Sequence, residues 1–173
     1  MDAGTAERVF ITGASSGIGA ALAREYAARG ATLGLLARRG DALAALVATL
    51  PHPERHRTYA VDVCDHAALA AAGADFLAEM NGADIVIACA GISHGTLTER
   101  PEDLPVFEAV FATNVTATVA TFAPFIPAMR EQGAGVGWWR SAASPGYAAC
   151  AARAPTVRRK RRYMPIASRC ASS

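Results

Sequence analysis

The sequence predicts an α/β protein, a doubly wound parallel sheet with helices on both faces. Short apolar runs alternate with longer segments of helical spacing from residue 8 to about residue 130. The first apolar run leads straight into a glycine-rich turn, Thr12-Gly13-Ala14-Ser15-Ser16-Gly17-Ile18-Gly19, and a helical pattern follows. The outstanding polar and glycine positions, Gly13 to Gly19, Arg38, Asp62 and Gly91, fall at strand carboxyl ends, where ligands sit in such sheets. The sheet is expected to be truncated after about four strands and to give way to an irregular basic C-terminal tail.

The elements follow in order. Arg8 to Thr12 is the first strand, and its helix runs from about Gly17 to Ala28, ended by Gly30. Ala31 to Ala37 is apolar throughout, as a strand covered on both faces requires. Asp41 to Leu50 has helical spacing and is stopped by Pro51 and Pro53. Arg57 to Asp62 is the third strand, and Asp65 caps a helix from about His66 to Met80. Asn81-Gly82 turns the chain into a fourth strand, Asp84 to Ala90. A loop, Ile92 to Pro101, precedes a long helical stretch from about Glu102 to Arg130.

Composition narrows the class. The 173 residues are 52% hydrophobic and long enough for one core. Met1 to Arg8 is small and polar, unlike a secretory leader, and no apolar run approaches the roughly 18 residues that span a membrane. Cys64, Cys89, Cys150 and Cys170 have no paired metal or redox spacing, so a reduced, cytoplasmic setting is expected. Cys64 and Cys89 read as small buried residues. His52 and His56 have helical metal spacing, but Pro53 lies between them and no third ligand is evident, so they read as surface residues and no metal site is expected. His94 reads as ordinary loop chemistry.

The glycine turn is a phosphate cradle in outline. Gly13 turns the chain without a Cβ penalty, and Gly17 and Gly19 let a pyrophosphate approach the backbone. The helix behind them offers unpaired N–H groups and the positive end of its dipole. Alone, the pattern reads as a tight strand-to-helix turn. The agreement of Arg38, Asp62 and Gly91 in position favours a dinucleotide site.

Four motifs in sequence, the glycine turn, Asp62-Val63, Cys89-Ala90-Gly91 and Asn114-Val115, resemble a short-chain dehydrogenase/reductase over about residues 7–133. The resemblance implies a Rossmann-type sheet and hydride transfer between a nicotinamide dinucleotide and a carbonyl or alcohol. It assigns the pyrophosphate to the turn, with Gly13, Ser15, Ser16, Gly17, Ile18 and Gly19 as the contact residues. It assigns the adenine to Asp62 and Val63, and the nicotinamide ribose to the backbone of Ala90 and Gly91. The family's Asn-Ala-Gly stands here as Cys89-Ala90-Gly91, so the asparagine's contact to the sheet is replaced. Asn114 falls where the family has the asparagine of the catalytic relay. At the end of the second strand an NAD site needs a carboxylate for the ribose hydroxyls. Ala37 offers none, whereas Arg38 can pair with a 2′-phosphate, which favours NADP over NAD. Intact members of the family are expected to be homo-oligomers, and no membrane or nucleic-acid partner is expected.

The tail departs from the family. Residues 1–133 hold all 15 acids and nine arginines, a net of −6, and residues 134–173 hold eight basic residues and no acid. The family's tyrosine needs a lysine four residues later, with a serine about a dozen residues upstream, to protonate the new alkoxide. Lys160 is the only lysine, and Thr156 stands four residues before it. The family serine, tyrosine and lysine are therefore missing, and Val136-Gly137-Trp138-Trp139 is a poor fifth strand. Residues from about 134 onward read as a translation that has lost one base. Joining the third base of each codon to the first two of the next forces Val at Trp138/Trp139 and Ala at Met164/Pro165. It permits a serine across Ala142/Ala143, a tyrosine across Pro155/Thr156 and a lysine across Arg159/Lys160. Those three have the family's order and spacing. The organisation expected is thus a dinucleotide-binding segment, 1–133, and an irregular or disordered out-of-frame tail, 134–173. The rival is a non-catalytic binding module whose run Arg158-Arg159-Lys160-Arg161-Arg162 contacts nucleic acid or an acidic partner. In either case a sheet truncated after four strands should expose an edge and an apolar helix face.

Overall fold

The computed structural model describes residues 6–95 and 99–132, and the backbone of 137–140. Among these residues five parallel strands lie in the order β3-β2-β1-β4-β5. They are β1 (Arg8–Thr12), β2 (Thr32–Ala37), β3 (Arg57–Ala60), β4 (Ile85–Ala88) and β5 (Gly137–Arg140). From β1 the chain steps outward to β2 and β3, then returns to place β4 on the other side of β1. The order therefore reverses between β1 and β4, and the crevice at their carboxyl ends is the natural ligand position. The positions that would hold the displaced serine, tyrosine and lysine lie outside the described residues.

Side-chain alternation along the strands builds two cores. Val9 and Ile11 of β1, Leu33 and Leu35 of β2 and Ile87 of β4 pack with Ala20, Ala23 and Ala27 of α1 (Gly17–Ala28). Leu43 and Leu46 of α2 (Gly40–Val47) complete that side. Phe10, Leu36 and Val86 face the opposite way, onto Leu69, Ala72 and Phe76 of α3 (His66–Glu79). Phe10 is the centre of this second layer, with ring centroids 5.4 Å from Phe76 and 4.9 Å from Phe125. Gly34 makes room for them, since a Cβ there would lie 2.5 Å from the Phe76 ring and 2.7 Å from that of Phe10. Asp65 caps α3 as the sequence predicts, accepting from the Ala68 N–H at 3.0 Å.

The sequence expects no convincing fifth strand, yet the backbone of Gly137–Arg140 pairs in parallel with β4, Ile85 opposite Gly137 and Ala88 opposite Arg140. The reason is physical: the outer edge of β4 presents unpaired N–H and C=O groups that any extended segment can satisfy. The long helical stretch is also more structured than its spacing implies. It divides into α4 (Leu104–Phe111), a π-helical turn (Ala112–Thr116), α5 (Ala117–Phe122) and α6 (Phe125–Glu131). Over Pro101–Glu131 it is long and apolar enough to cross a membrane by length and composition. The expectation that no apolar run approaches that length overlooked this stretch, because its alanines, valines and phenylalanines are interrupted by threonines, Asn114 and prolines, although residues 109–129 carry no charge. Its inner face, Ala117, Thr121, Phe125 and Met129, is core, while Leu104, Phe111 and Val119 are 60%, 61% and 68% exposed. The expected uncovered apolar face is therefore present.

Arg8 locks the amino end of the sheet. Its backbone N–H and side-chain Nε both donate to Asp84 Oδ2, at 2.8 and 2.9 Å, and Nη2 reaches Oδ1 at 2.7 Å. It also donates to the Asn81 carbonyl, and at 3.3 Å to Gln132 Oε1 beyond α6. One guanidinium thus joins β1, the turn before β4 and the end of the helical stretch. Burial opposes ionisation of Asp84, but the bonds from Arg8 outweigh it and leave the carboxyl below its ordinary value. The sequence reading of His56 as a surface residue is corrected, for it is 7% exposed. β3 begins at Arg57, opposite Gly34, so the Leu33 N–H lies just beyond the ladder and donates to His56 Nδ1 at 3.3 Å. Nε2 must then carry the proton, and it donates to the Pro51 carbonyl at 3.0 Å. Burial above all lowers the pKa of this imidazole. His52 is exposed and lies 3.7 Å from Glu54.

These two groups fix a pH profile. A His56 pKa below 6.5 means the unfolded chain takes the proton first, so stability is complete above that pH and declines as the pH falls through it. The lowered Asp84 pKa gives a second contribution, present above about 3.9 and lost below it. The urea midpoint should hold steady at neutral pH and fall in two stages on acidification, with His56→Gln removing the first stage. Arg8→Met should cost about 1.5–3 kcal/mol, the scale of hydrogen bonds to a charged group, read from the same midpoint.

Candidate active site

A cleft of about 630 Å³ opens at the reversal point between β1 and β4. Its floor is the glycine turn. Gly13 has φ +68°, and a Cβ on it would lie 2.6 Å from the Ala90 nitrogen and 2.8 Å from the Cys89 carbonyl carbon. The turn therefore lies backbone to backbone against the end of β4, and only glycine permits both the φ and the approach. A Cβ on Gly19 would strike the Gly13 carbonyl, so the start of α1 is pressed onto the same turn. Gly17, at φ +55°, has no atom within 4 Å of where its Cβ would be. The Ala14 N–H donates to the Leu36 carbonyl at 3.2 Å and pins the turn to β2. Ser16 precedes α1 without a side-chain cap, and the first turn of α1 carries no acid. Unpaired N–H groups and the positive end of the helix dipole therefore face the cleft, an arrangement suited to an anion.

The walls come from three other strand ends. Arg38 and Arg39 follow β2, Asp62 and Val63 follow β3, and Ala90 and Gly91 follow β4, and all six line the cleft. Arg39 Nη2 donates across the opening to Ser15 Oγ at 3.3 Å. Arg38 Nη1 lies 4.0 Å from Asp62 Oδ2, and Asp62 Oδ1 accepts the Cys64 N–H at 2.9 Å. The β4 end is fastened to β1, the Cys89 N–H donating to the Thr12 carbonyl at 3.2 Å and the Ala90 N–H to Thr12 Oγ1 at 3.4 Å.

Every cofactor-binding residue proposed from the sequence lines this cleft: Gly13, Ser15, Ser16, Gly17, Ile18, Gly19, Arg38, Asp62, Val63, Ala90 and Gly91. Asn114 stands behind it, on the π-helical turn. Its Oδ1 accepts the Ile92 N–H and its Nδ2 donates to the Ile92 carbonyl, both at 2.9 Å. A single amide thus clasps the loop after β4, and Ile92 lines the cleft. A π-turn of this kind shifts the register of a helix locally, and such turns are frequent at functional sites. Sequence reasoning named neither Arg39, which lines the cleft beside Arg38, nor Thr113, which lines it one residue before Asn114. It also placed Cys64 in the core, whereas that thiol is exposed in the cleft, 3.5 Å from Thr113 Oγ1. The signal for Cys64 was its place directly after Asp62-Val63, at a strand end. His94 is exposed on the loop beyond Ile92.

Residues 7–136 match the family model described as short chain dehydrogenase. The chain belongs to that family. It is 36% identical over 134 residues to an uncharacterized oxidoreductase of Mycobacterium tuberculosis, covering 76% of this chain and 53% of that one. A short-chain type dehydrogenase/reductase from Mycobacterium marinum superposes with a TM-score of 0.70 at 31% identity, over 78% of this chain and 54% of that one. An NADH-dependent reductase complexed with NAD superposes with a TM-score of 0.67 at 26% identity, over 75% and 54%. The chain thus spans about half the length of the relatives it matches. The family is one of oxidoreductases using a nicotinamide dinucleotide, and the glycine cradle, the uncapped helix start and the flanking arginines fit such a group.

The geometry separates the glycines. Gly13→Ala should cost about 2–4 kcal/mol through strain at positive φ and contact with the β4 backbone. Gly17→Ala should cost only the conformational strain, about 1–2 kcal/mol, since its Cβ would enter open space. Urea unfolding of the two variants checks the order.

Proposed function

We propose that this chain carries the cofactor half of an NADP-linked short-chain reductase, whose full reaction is hydride transfer between NADP(H) and a carbonyl or alcohol. The observation that carries the cofactor choice is the end of β2: no carboxylate stands there, and two guanidinium groups, Arg38 and Arg39, line the cleft instead. A ribose 2′-phosphate is a dianionic acceptor suited to paired guanidinium groups, whereas ribose hydroxyls are held by an acid. The glycine turn would hold the pyrophosphate, Asp62 and Val63 the adenine, and the backbone of Ala90 and Gly91 the nicotinamide ribose. When bound, the nicotinamide supplies or accepts the hydride. Asn114 positions the loop from Gly91 onward, and so the face the nicotinamide meets, through its two bonds to Ile92.

Turnover also needs a group to protonate the alkoxide, and residues 134–173 as written hold no tyrosine four residues before a lysine. The reading that supports the family best is a one-base loss near codons 133–136. It accords with a family match that ends at residue 136. The purified 173-residue chain should bind NADP+ more tightly than NAD+ and should oxidise no NADPH with carbonyl substrates. Tighter NAD+ binding overturns the cofactor choice, and appreciable turnover overturns the inactivity. Stop codons in the preceding frame across codons 137–172, or a frame without tyrosine and lysine at 155/156 and 159/160, overturn the base loss.

The second reading, a non-catalytic dinucleotide-binding module with a basic tail, rests on the charge split of −6 against eight basic residues without an acid. It requires salt-dependent nucleic-acid binding by the full chain that a 1–133 truncation lacks. Equal, negligible binding by both excludes it.

A further inference from the structure

Asp62 and Arg38, at the ends of the neighbouring strands β3 and β2, both line the cleft that the proposed NADP reading fills, with Oδ2 and Nη1 4.0 Å apart. The two partners are not equally free. Asp62 is tethered, because its other oxygen accepts the Cys64 backbone N–H at 2.9 Å. That bond spans only two residues and holds the carboxylate at the end of β3. Arg38 sits at the end of β2 on a long side chain that is 71% exposed. It can leave its partner for a stronger anion. Arg39 is engaged on the other wall, at Ser15.

From this arrangement we infer that Asp62 is an internal competitor for Arg38, a built-in counter-ion that sets how strongly the site discriminates between cofactors with and without a 2′-phosphate. The inference rests on the NADP reading of the cleft. Before a cofactor binds, the carboxylate partly neutralises the guanidinium. A 2′-phosphate binds only by drawing Arg38 away from Asp62, so part of its attraction is spent replacing that contact. NAD has no such group and leaves the pair in place. Asp62 therefore weakens NADP selectively. Its effect falls on the ratio of the two affinities rather than on the adenine and pyrophosphate contacts that both cofactors share.

The pair is exposed, so its influence is modest and salt-dependent. Exposed ion pairs shift equilibria by up to about fivefold, and raised ionic strength screens them. Asp62→Asn keeps the shape and the acceptor for the Cys64 N–H while removing the charge. Arg38→Gln removes the partner.

The test is a calorimetric cycle on the full chain, with NADP+ and NAD+ as ligands and the ratio of their dissociation constants as the readout. Arg38→Gln should lower the preference for NADP+ by roughly tenfold or more, as loss of a charged hydrogen-bond donor does. Asp62→Asn should raise it about two- to fivefold at low ionic strength, with the gain shrinking at high salt. In the Arg38→Gln background Asp62→Asn should leave the ratio unchanged. A gain of equal size in both backgrounds overturns the inference, because the charge would then act on the phosphate directly. No gain in the Arg38 background, with the loss on Arg38→Gln intact, also overturns it while leaving the NADP reading standing. No effect of Arg38→Gln, or no binding of either dinucleotide by the unaltered chain, removes the NADP reading and the inference together.

Discussion

The close approach of the first turn to the end of the fourth strand governs this structure. Gly13 lies against the Ala90 nitrogen and the Cys89 carbonyl carbon with no room for a Cβ, and Gly19 lies against Gly13 in turn. These contacts bring β1, β4 and the start of α1 to one point. They create the crevice by forbidding side chains there, so that backbone groups face the ligand. Thr12 then fastens the β4 end through its carbonyl and hydroxyl. Opposite, at the amino end of the sheet, Arg8 ties the same two strands together through Asp84. The pair of strands that flanks the cleft is thus fixed at both ends, which gives the glycine turn a rigid base.

Electrostatics at the cleft follow from the same geometry. A helix start without a cap or an acid supplies positive potential at the floor, and Arg38 and Arg39 add charge at the rim. Asp62, just past the end of β3, lies 4.0 Å from Arg38. A site built in this way suits a polyanionic ligand held along its length. The clasp of Asn114 on Ile92 ties the helical stretch to the segment after β4, where Ile92 lines the cleft.

The second core layer and the exposed helix face are two sides of the same helical stretch. Phe10, Phe76 and Phe125 bury α3 and α6 against the sheet, and the two layers satisfy the rule that a parallel sheet is covered on both faces. Leu104, Phe111 and Val119 remain in solvent on the outer face of the same helical stretch. Exposed apolar side chains gathered on one helical face are a contiguous surface that solvent covers poorly.

The fold class, the four principal strands, their helices and the ligand-bearing ends were legible in the sequence, because they depend on local signals. Apolar strands buried on both faces need no partner to be recognised, and Gly13 to Gly19 and the Asp65 cap are written in contiguous residues. Tertiary structure decided what depends on who sits opposite. Cys64 is exposed because β3 ends just before it at the cleft, and His56 is buried because β3 starts one residue after it and leaves the Leu33 N–H to be satisfied. Gly137–Arg140 becomes a strand because an open edge supplies the hydrogen bonds its own residues do not advertise. The π-turn at Asn114 and the division of labour between Arg38 and Arg39 have the same origin. Periodicity reports the face a residue presents, but a partner brought from a distant part of the chain determines what that face touches.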